Sequence, residues 1–178
     1  MTFSTQTVPY DRERAVEYAH YWAYRRNPEF YDFEELGGDC TNFASQCLYA
    51  GSGVMNFTPT YGWYYLNLNN RAPAWTGVVY LYNFLTQNQG LGPFGREVSA
   101  AEVLPGDLCQ IIVNKETWQH TPVIVKVGLI PDPSNILVAA HSYDANCRPL
   151  DTYPYRAVRF IHIEGVRRPQ SPAFAGVQ

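Results

Sequence analysis

The chain predicts an α+β fold, with helices in the N-terminal half followed by short strands. Three observations carry this: apolar residues recur at helical spacing in the first half, the period shortens to strand-like runs from Asp107 onward, and the two kinds of segment do not alternate. A length of 178 residues with 46% apolar and 16% charged residues fits one domain with a proper core.

Residues 1–9 are polar and lack a basic stretch before an apolar one, so they read as a linker or an added end rather than a signal peptide. That reading leaves both a cytoplasmic and a cell-wall location open. Asp11 then opens a helix to Arg25, with Ala15, Val16, Ala19, Trp22 and Ala23 on one face, ended before Asn27-Pro28. A second helix spans roughly 40–50, with Asp39 as N-cap and Gly51 as stop. After an aromatic segment containing Tyr61, Trp63, Tyr64 and Tyr65, a third helix runs from about Thr76 to Gln87, burying Val78, Val79, Leu81, Tyr82 and Leu85. Strands are expected at 107–113, 121–127, 136–142 and 157–163, separated by turn chemistry such as Pro131-Asp132-Pro133-Ser134. The domain is therefore placed at 10–165, and residues 166–178, rich in Pro, Gln and Ala, read as a mobile tail.

A net charge of −3 and a pI near 5.8, with no Lys/Arg run, argue against a nucleic-acid surface, and no apolar stretch reaches membrane-spanning length. The four cysteines form neither a disulfide framework nor paired Cys-x-x-Cys metal ligands, and the histidines lack metal-site spacing, so free thiols and no cofactor are expected.

Chemistry is concentrated at Leu36-Gly37-Gly38-Asp39-Cys40-Thr41-Asn42-Phe43. A cysteine in the first turn of a helix meets backbone N–H groups and the positive end of the helix dipole, which lower a thiol pKa from about 8.5 and can hold an oxyanion. Cys47 and Cys109 read as core, and Cys147 as exposed. Such a nucleophile needs a base, itself oriented by a third group. Of the four histidines, His20 reads as helix surface and His162 as the solvent side of a strand. His120 sits at the mouth of one strand and His141 at the end of the next. In an antiparallel hairpin the two are neighbours, so that His141 can orient His120 toward Cys40.

These segments, with Tyr10-Asp11-Arg12, Gly62-Trp63-Tyr64, Ala74-Trp75-Thr76, Leu104-Pro105-Gly106-Asp107, Gln119-His120 and Ala140-His141-Ser142, resemble the bacterial putative amidase domain family over residues 10–165. That family is similar to papain-fold cell-wall hydrolases of NlpC and CHAP type. The resemblance implies a papain-like fold and amide-bond hydrolysis, with Cys40 as nucleophile, His120 as general base and acid, and His141 as orienting residue. Asn146 and Asp144 are alternatives for the third place. The Cys40 N–H, beside Asp39, is the expected oxyanion donor, with Tyr31 as a candidate second donor. Trp63, Trp75 and Trp118 are candidates for a substrate cleft with Tyr61, Tyr64 and Tyr65. The expected partner is a peptide or amide substrate, with peptidoglycan stem peptides as the class the resemblance suggests. A non-catalytic wall-binding module and an acyltransferase using the same Cys-His pair remain open readings of these residues.

Overall fold

The computed structural model describes residues 4–170. Its helices are α1 (Arg12–Trp22), α2 (Cys40–Ser52), α3 (Pro73–Thr76) and α4 (Val78–Gln87). Its strands are β1 (Thr5–Val8), β2 (Tyr65–Asn67), β3 (Asn70–Arg71), β4 (Gly92–Val98), β5 (Leu108–Ile112), β6 (Val123–Lys126), β7 (Leu137–Ala140), β8 (Ala145–Pro149) and β9 (Ala157–Pro169). The expected α+β architecture is present: an antiparallel seven-stranded sheet runs β1-β9-β5-β6-β7-β8, with β4 also on β9, and β2 and β3 form a separate hairpin.

Strand β9 holds the sheet together. Its first residues pair with β5 (Ala157 with Ile112, Ile161 with Leu108), its last with β1 (Val166 with Val8), and β4 lines the opposite edge from Phe160 to Arg167. Two expectations at the chain ends are thereby corrected. Thr5–Val8 is a strand and not a linker, because alternate β9 backbone groups there need partners. Residues 166–169 continue β9, and the rest of the supposed tail, from 171, lies outside the described residues.

Apolar residues bury on both sheet faces. One cluster joins α1, α2 and α4 to Leu108, Val123, Val125, Ala139 and Ile161. The other holds Cys109, Ile111, Ile124, Val138, Leu150, Tyr153 and Phe160. Alternation along β6 and β7 sends neighbours to opposite clusters.

Helix α2 is buried along almost its whole length, so its end is set by packing. Gly51 does not stop it: the helix continues to Ser52 and is capped by Gly53 at φ 63°. Glycine is needed at position 51 because a Cβ there would lie 2.4 Å from the Tyr10 ring, against which the helix passes. The third predicted helix is α4, which starts after Gly77, and the short α3 just before it was not expected. Its buried face is Leu81, Phe84 and Leu85, while Val79 faces solvent.

Candidate active site

Gly37 and Gly38 have φ of 106° and 105°, a backbone path that side-chain-bearing residues rarely take, and this turn delivers the chain to the first residue of α2. Asp39 takes the N-cap position without acting as a side-chain cap. Its carboxylate is buried and used elsewhere. Oδ1 accepts the Phe33 N–H at 2.8 Å and the Asn42 amide at 2.8 Å, and Oδ2 lies 2.5 Å from His141 Nδ1. The first-turn amides of α2 are consequently left without a side-chain cap around Cys40.

Cys40 Sγ has Thr41 Oγ1 at 3.7 Å and can donate to the Gln119 carbonyl at 3.9 Å. Behind it runs a buried polar chain: Thr41 Oγ1 to Thr121 Oγ1 at 3.2 Å, Thr121 to Gln110 Nε2 at 3.3 Å, and Gln110 Oε1 to Arg159 at 2.6 Å. Burial pushes the Cys40 thiol above its ordinary pKa, and hydrogen bonds from the Thr121 and Thr41 amides and the Thr41 hydroxyl offset only part of this. The sequence expectation of a lowered pKa is thus not met in the resting protein, because desolvation outweighs the hydrogen bonds that favour the thiolate.

Cys40 and His120 line one cavity of about 560 Å³, together with Gly38, Ile111, Lys115, Ser142, Tyr143, Arg148 and Tyr153. His120 is placed by the β-bridge of its backbone to Ile111, at the entry to β6. Its ring lies against Tyr153, 5.7 Å between centroids. Nε2 is buried with no hydrogen-bond partner among the described residues, and so is the Tyr153 hydroxyl. Burial, aided by the Arg148 charge, lowers the imidazole pKa to about 4, so the ring is neutral at pH 7.

His141 does not meet His120. Residue 123 pairs with 139, which makes the two histidines neighbours along the hairpin as expected, but their side chains leave by opposite faces. His120 joins Tyr153 of one cluster. His141 stacks on Phe43 at 4.0 Å, with Nδ1 on Asp39 and Nε2 2.9 Å from the Trp22 carbonyl. Both ring nitrogens are thus engaged, which fixes the ring between Asp39 and the end of α1. The alternatives for the third place are also engaged elsewhere: Asn146 with His20 at 2.7 Å, and Asp144 with Arg26 at 2.9 Å.

The expected aromatic cleft is corrected as well. Trp63 and Trp75 are fully buried and lie against each other in a tilted pair, 4.9 Å between centroids, with indole N–H groups on Ser45 and Asn42 of α2. They are the packing surface for the helix that carries Cys40. Trp118 lies beneath the Arg159 guanidinium, 4.3 Å from the ring centroid. Tyr31 is outside the cavity lining, its backbone tied to Tyr65 and Asn42. His162 is not simply solvent-facing: its Nδ1 is 2.8 Å from the buried Asp107 carboxylate. Tyr143, Arg148 and Tyr153 were not singled out in the sequence, since no local pattern marks a side chain that reaches a cavity from a neighbouring hairpin. Among the described residues no group of three or more His, Cys, Asp or Glu side chains is gathered to hold a metal ion.

No solved structure matches this chain. Among curated proteins it is 32% identical over 142 residues to the uncharacterized protein YhbB of Bacillus subtilis (strain 168), an alignment covering 78% of this chain and 43% of that protein. The chain thus spans less than half the length of that relative. A family model described as a putative amidase domain matches residues 9–163. With that match running from Pro9, just before α1, through the cavity residues into β9, the chain belongs to the putative amidase domain family.

Proposed function

We propose that this protein is a cysteine-dependent amidase or peptidase in which Cys40 is the nucleophile and His120 the general base and acid. The observation that carries the reading is one cavity holding a helix-N-terminal thiol and a neutral histidine whose buried Nε2 has no partner. An unpaired buried nitrogen costs on the order of 1–3 kcal/mol, and a catalytic role is one reason for a protein to keep it. A cysteine helix packed on an antiparallel sheet that carries the histidine at a strand mouth also agrees with the papain-like scaffold of NlpC and CHAP type hydrolases.

In this mechanism the thiol and imidazole start neutral. His120 takes the Cys40 proton as sulfur attacks the amide carbon, and the oxyanion is met by the uncapped Cys40 N–H. The C–N bond breaks as His120 protonates the leaving amine, giving a thioester. Water, deprotonated by His120, then attacks the thioester carbon, and the C–S bond breaks with the proton returned to sulfur. His141 holds Asp39, and through it the turn before Cys40, and takes no part in orienting His120. Peptide amides are the substrate class, with peptidoglycan stem peptides the first to assay. Cys40→Ala should abolish turnover, and His120→Ala should lower kcat by about 100-fold or more. Full hydrolysis by either folded variant would sink the reading.

A binding module of the same fold is the second reading, favoured by the raised thiol pKa in the resting protein. Alkylation of Cys40 by iodoacetamide, followed by mass spectrometry, separates the two. Without ligand the rate should rise only above the ordinary thiol pKa. Acceleration at neutral pH by a non-hydrolysable peptide analogue supports catalysis, and tight binding with no acceleration supports the module.

A further inference from the structure

The charges on the cavity wall are of one sign. Among the described residues Arg148 and Lys115 line it and no Asp or Glu does, and this in a chain whose net charge is −3. Among the described residues neither cation is paired with a carboxylate. Arg148 is nevertheless held in place: its guanidinium stacks on the Tyr153 ring at 3.7 Å, Nε donates to Thr152 Oγ1 at 2.8 Å, and one Nη donates to the Thr152 carbonyl at 2.9 Å. Among the described residues its second Nη donates to no carboxylate. Lys115 is positioned by its backbone, whose N–H donates to Gln119 Oε1 at 2.9 Å, while its ammonium is exposed. Of the acids near them in sequence, Glu116 pairs with Arg156 and Asp144 with Arg26, while Asp151, three residues beyond Arg148, is exposed and outside the cavity lining; Glu34 approaches the wall by accepting from Ser142 Oγ at 2.8 Å.

We propose that Arg148 and Lys115 form a carboxylate-binding subsite in this cavity, so that the ligand taken beside Cys40 and His120 is an acidic peptide or acylamino acid with a free carboxylate. Two separate cationic donors suit the two oxygens of one carboxylate. As a substrate preference this rests on the hydrolase reading, in which the ligand is an amide; the subsite itself does not. The arrangement also bears on His120, because the Arg148 charge is one of the two influences that depress its basicity. A carboxylate seated on Arg148 neutralises that influence and makes the base stronger when substrate is present.

The first test is independent of turnover. Amide and side-chain NMR shifts are followed while N-acetylglycine, or its neutral amide, is added to the full chain. The carboxylate should move the Arg148, Lys115 and His120 resonances, and the neutral probe should not. Arg148→Gln and the exposed Lys115→Gln should each weaken binding by about tenfold or more, and Arg148→Lys should retain part of it. Equal shifts with both probes, no shift with either, or binding unchanged in Lys115→Gln and Arg148→Gln would overturn the subsite.

The second test compares kcat/KM for one peptide with a free and an amidated C-terminus. Wild type should prefer the free acid by about tenfold or more through KM, and Arg148→Gln should erase the preference. Turnover of both at equal efficiency overturns the assigned substrate class. Carboxylate binding that needs Arg148 and Lys115, without turnover of either peptide, upholds the subsite while removing the hydrolase reading.

Discussion

At the scale of residues, Asp39 and His120 are governed by opposite demands. Asp39 is buried with its oxygens fully occupied by Phe33, Asn42 and His141, so it organises the turn while the helix amides beside Cys40 stay uncapped. His120 is held in a cavity wall without a hydrogen bond to Nε2 and is kept neutral by burial and by Arg148. Its folded pKa of about 4 lies below the ordinary 6.5, so between those values the unfolded chain binds a proton that the native one does not. The contribution to stability is complete above pH 6.5 and is lost as pH falls toward 4, by up to about 3 kcal/mol. Urea denaturation at pH 7.5 and pH 5 should show this loss in wild type and a smaller one in His120→Asn. An equal pH dependence in both would mean that the imidazole is not desolvated. Cys40 was legible as the proposed nucleophile, a thiol at a helix start, because glycines, a cap-type residue and a helix pattern all lie beside it in the chain. The misreading of His141 came from side-chain direction and partner choice, which sequence neighbours do not reveal.

At the scale of elements, α2 is decided by what it passes. Gly51 looks like a stop, yet it lies inside the helix because the Tyr10 ring crosses there. Gly51→Ala gains about 1 kcal/mol of helix propensity but forces a Cβ against the ring and the Asp11 carbonyl. Overpacking of this kind costs about 1–3 kcal/mol, so the variant should be less stable, read as a lower urea midpoint at unchanged slope. A midpoint equal to wild type would mean that Tyr10 gives way freely. The β7–β8 connection shows the same dependence on context. Ser142 and Tyr143 adopt φ of 57° and 73°, which brings Tyr143 to the cavity lip, and neither residue type announces such a turn. β4 and β8 went unseen because Gly-Pro-Phe-Gly and Asn-Cys-Arg-Pro carry no clean alternation; they are strands because β9 and β7 offer them edges.

At the scale of the whole molecule, the first helix is fastened to the sheet through Asp107. This fully buried carboxylate accepts from Arg12 at 2.6 Å, from the Ile163 and Leu104 amides, and from His162. Arg12 also reaches the Pro105 and Ile163 carbonyls, so α1, the turn before β5 and strand β9 meet at one ion pair. Removing one partner of a buried pair costs about 3–5 kcal/mol. Arg12→Ala should accordingly lower Tm by roughly 2–4 °C for each kcal/mol lost, measured by calorimetry, and retention of the wild-type Tm would mean that His162 alone satisfies Asp107.

What the sequence by itself determined is what short stretches of chain can carry: the α+β order, the first two helices, the four main strands, the thiol at a helix start and a histidine at a strand mouth. Only the tertiary structure decided that His120 and His141 face opposite sides of the sheet, that Trp63 and Trp75 pack the helix instead of lining a cleft, and that Arg148 and Tyr153 reach the cavity. Local propensity and periodicity act over a few residues. Burial, strand register and the pairing of buried charges depend on residues about 100 positions apart in the chain, as Asp39 and His141 are.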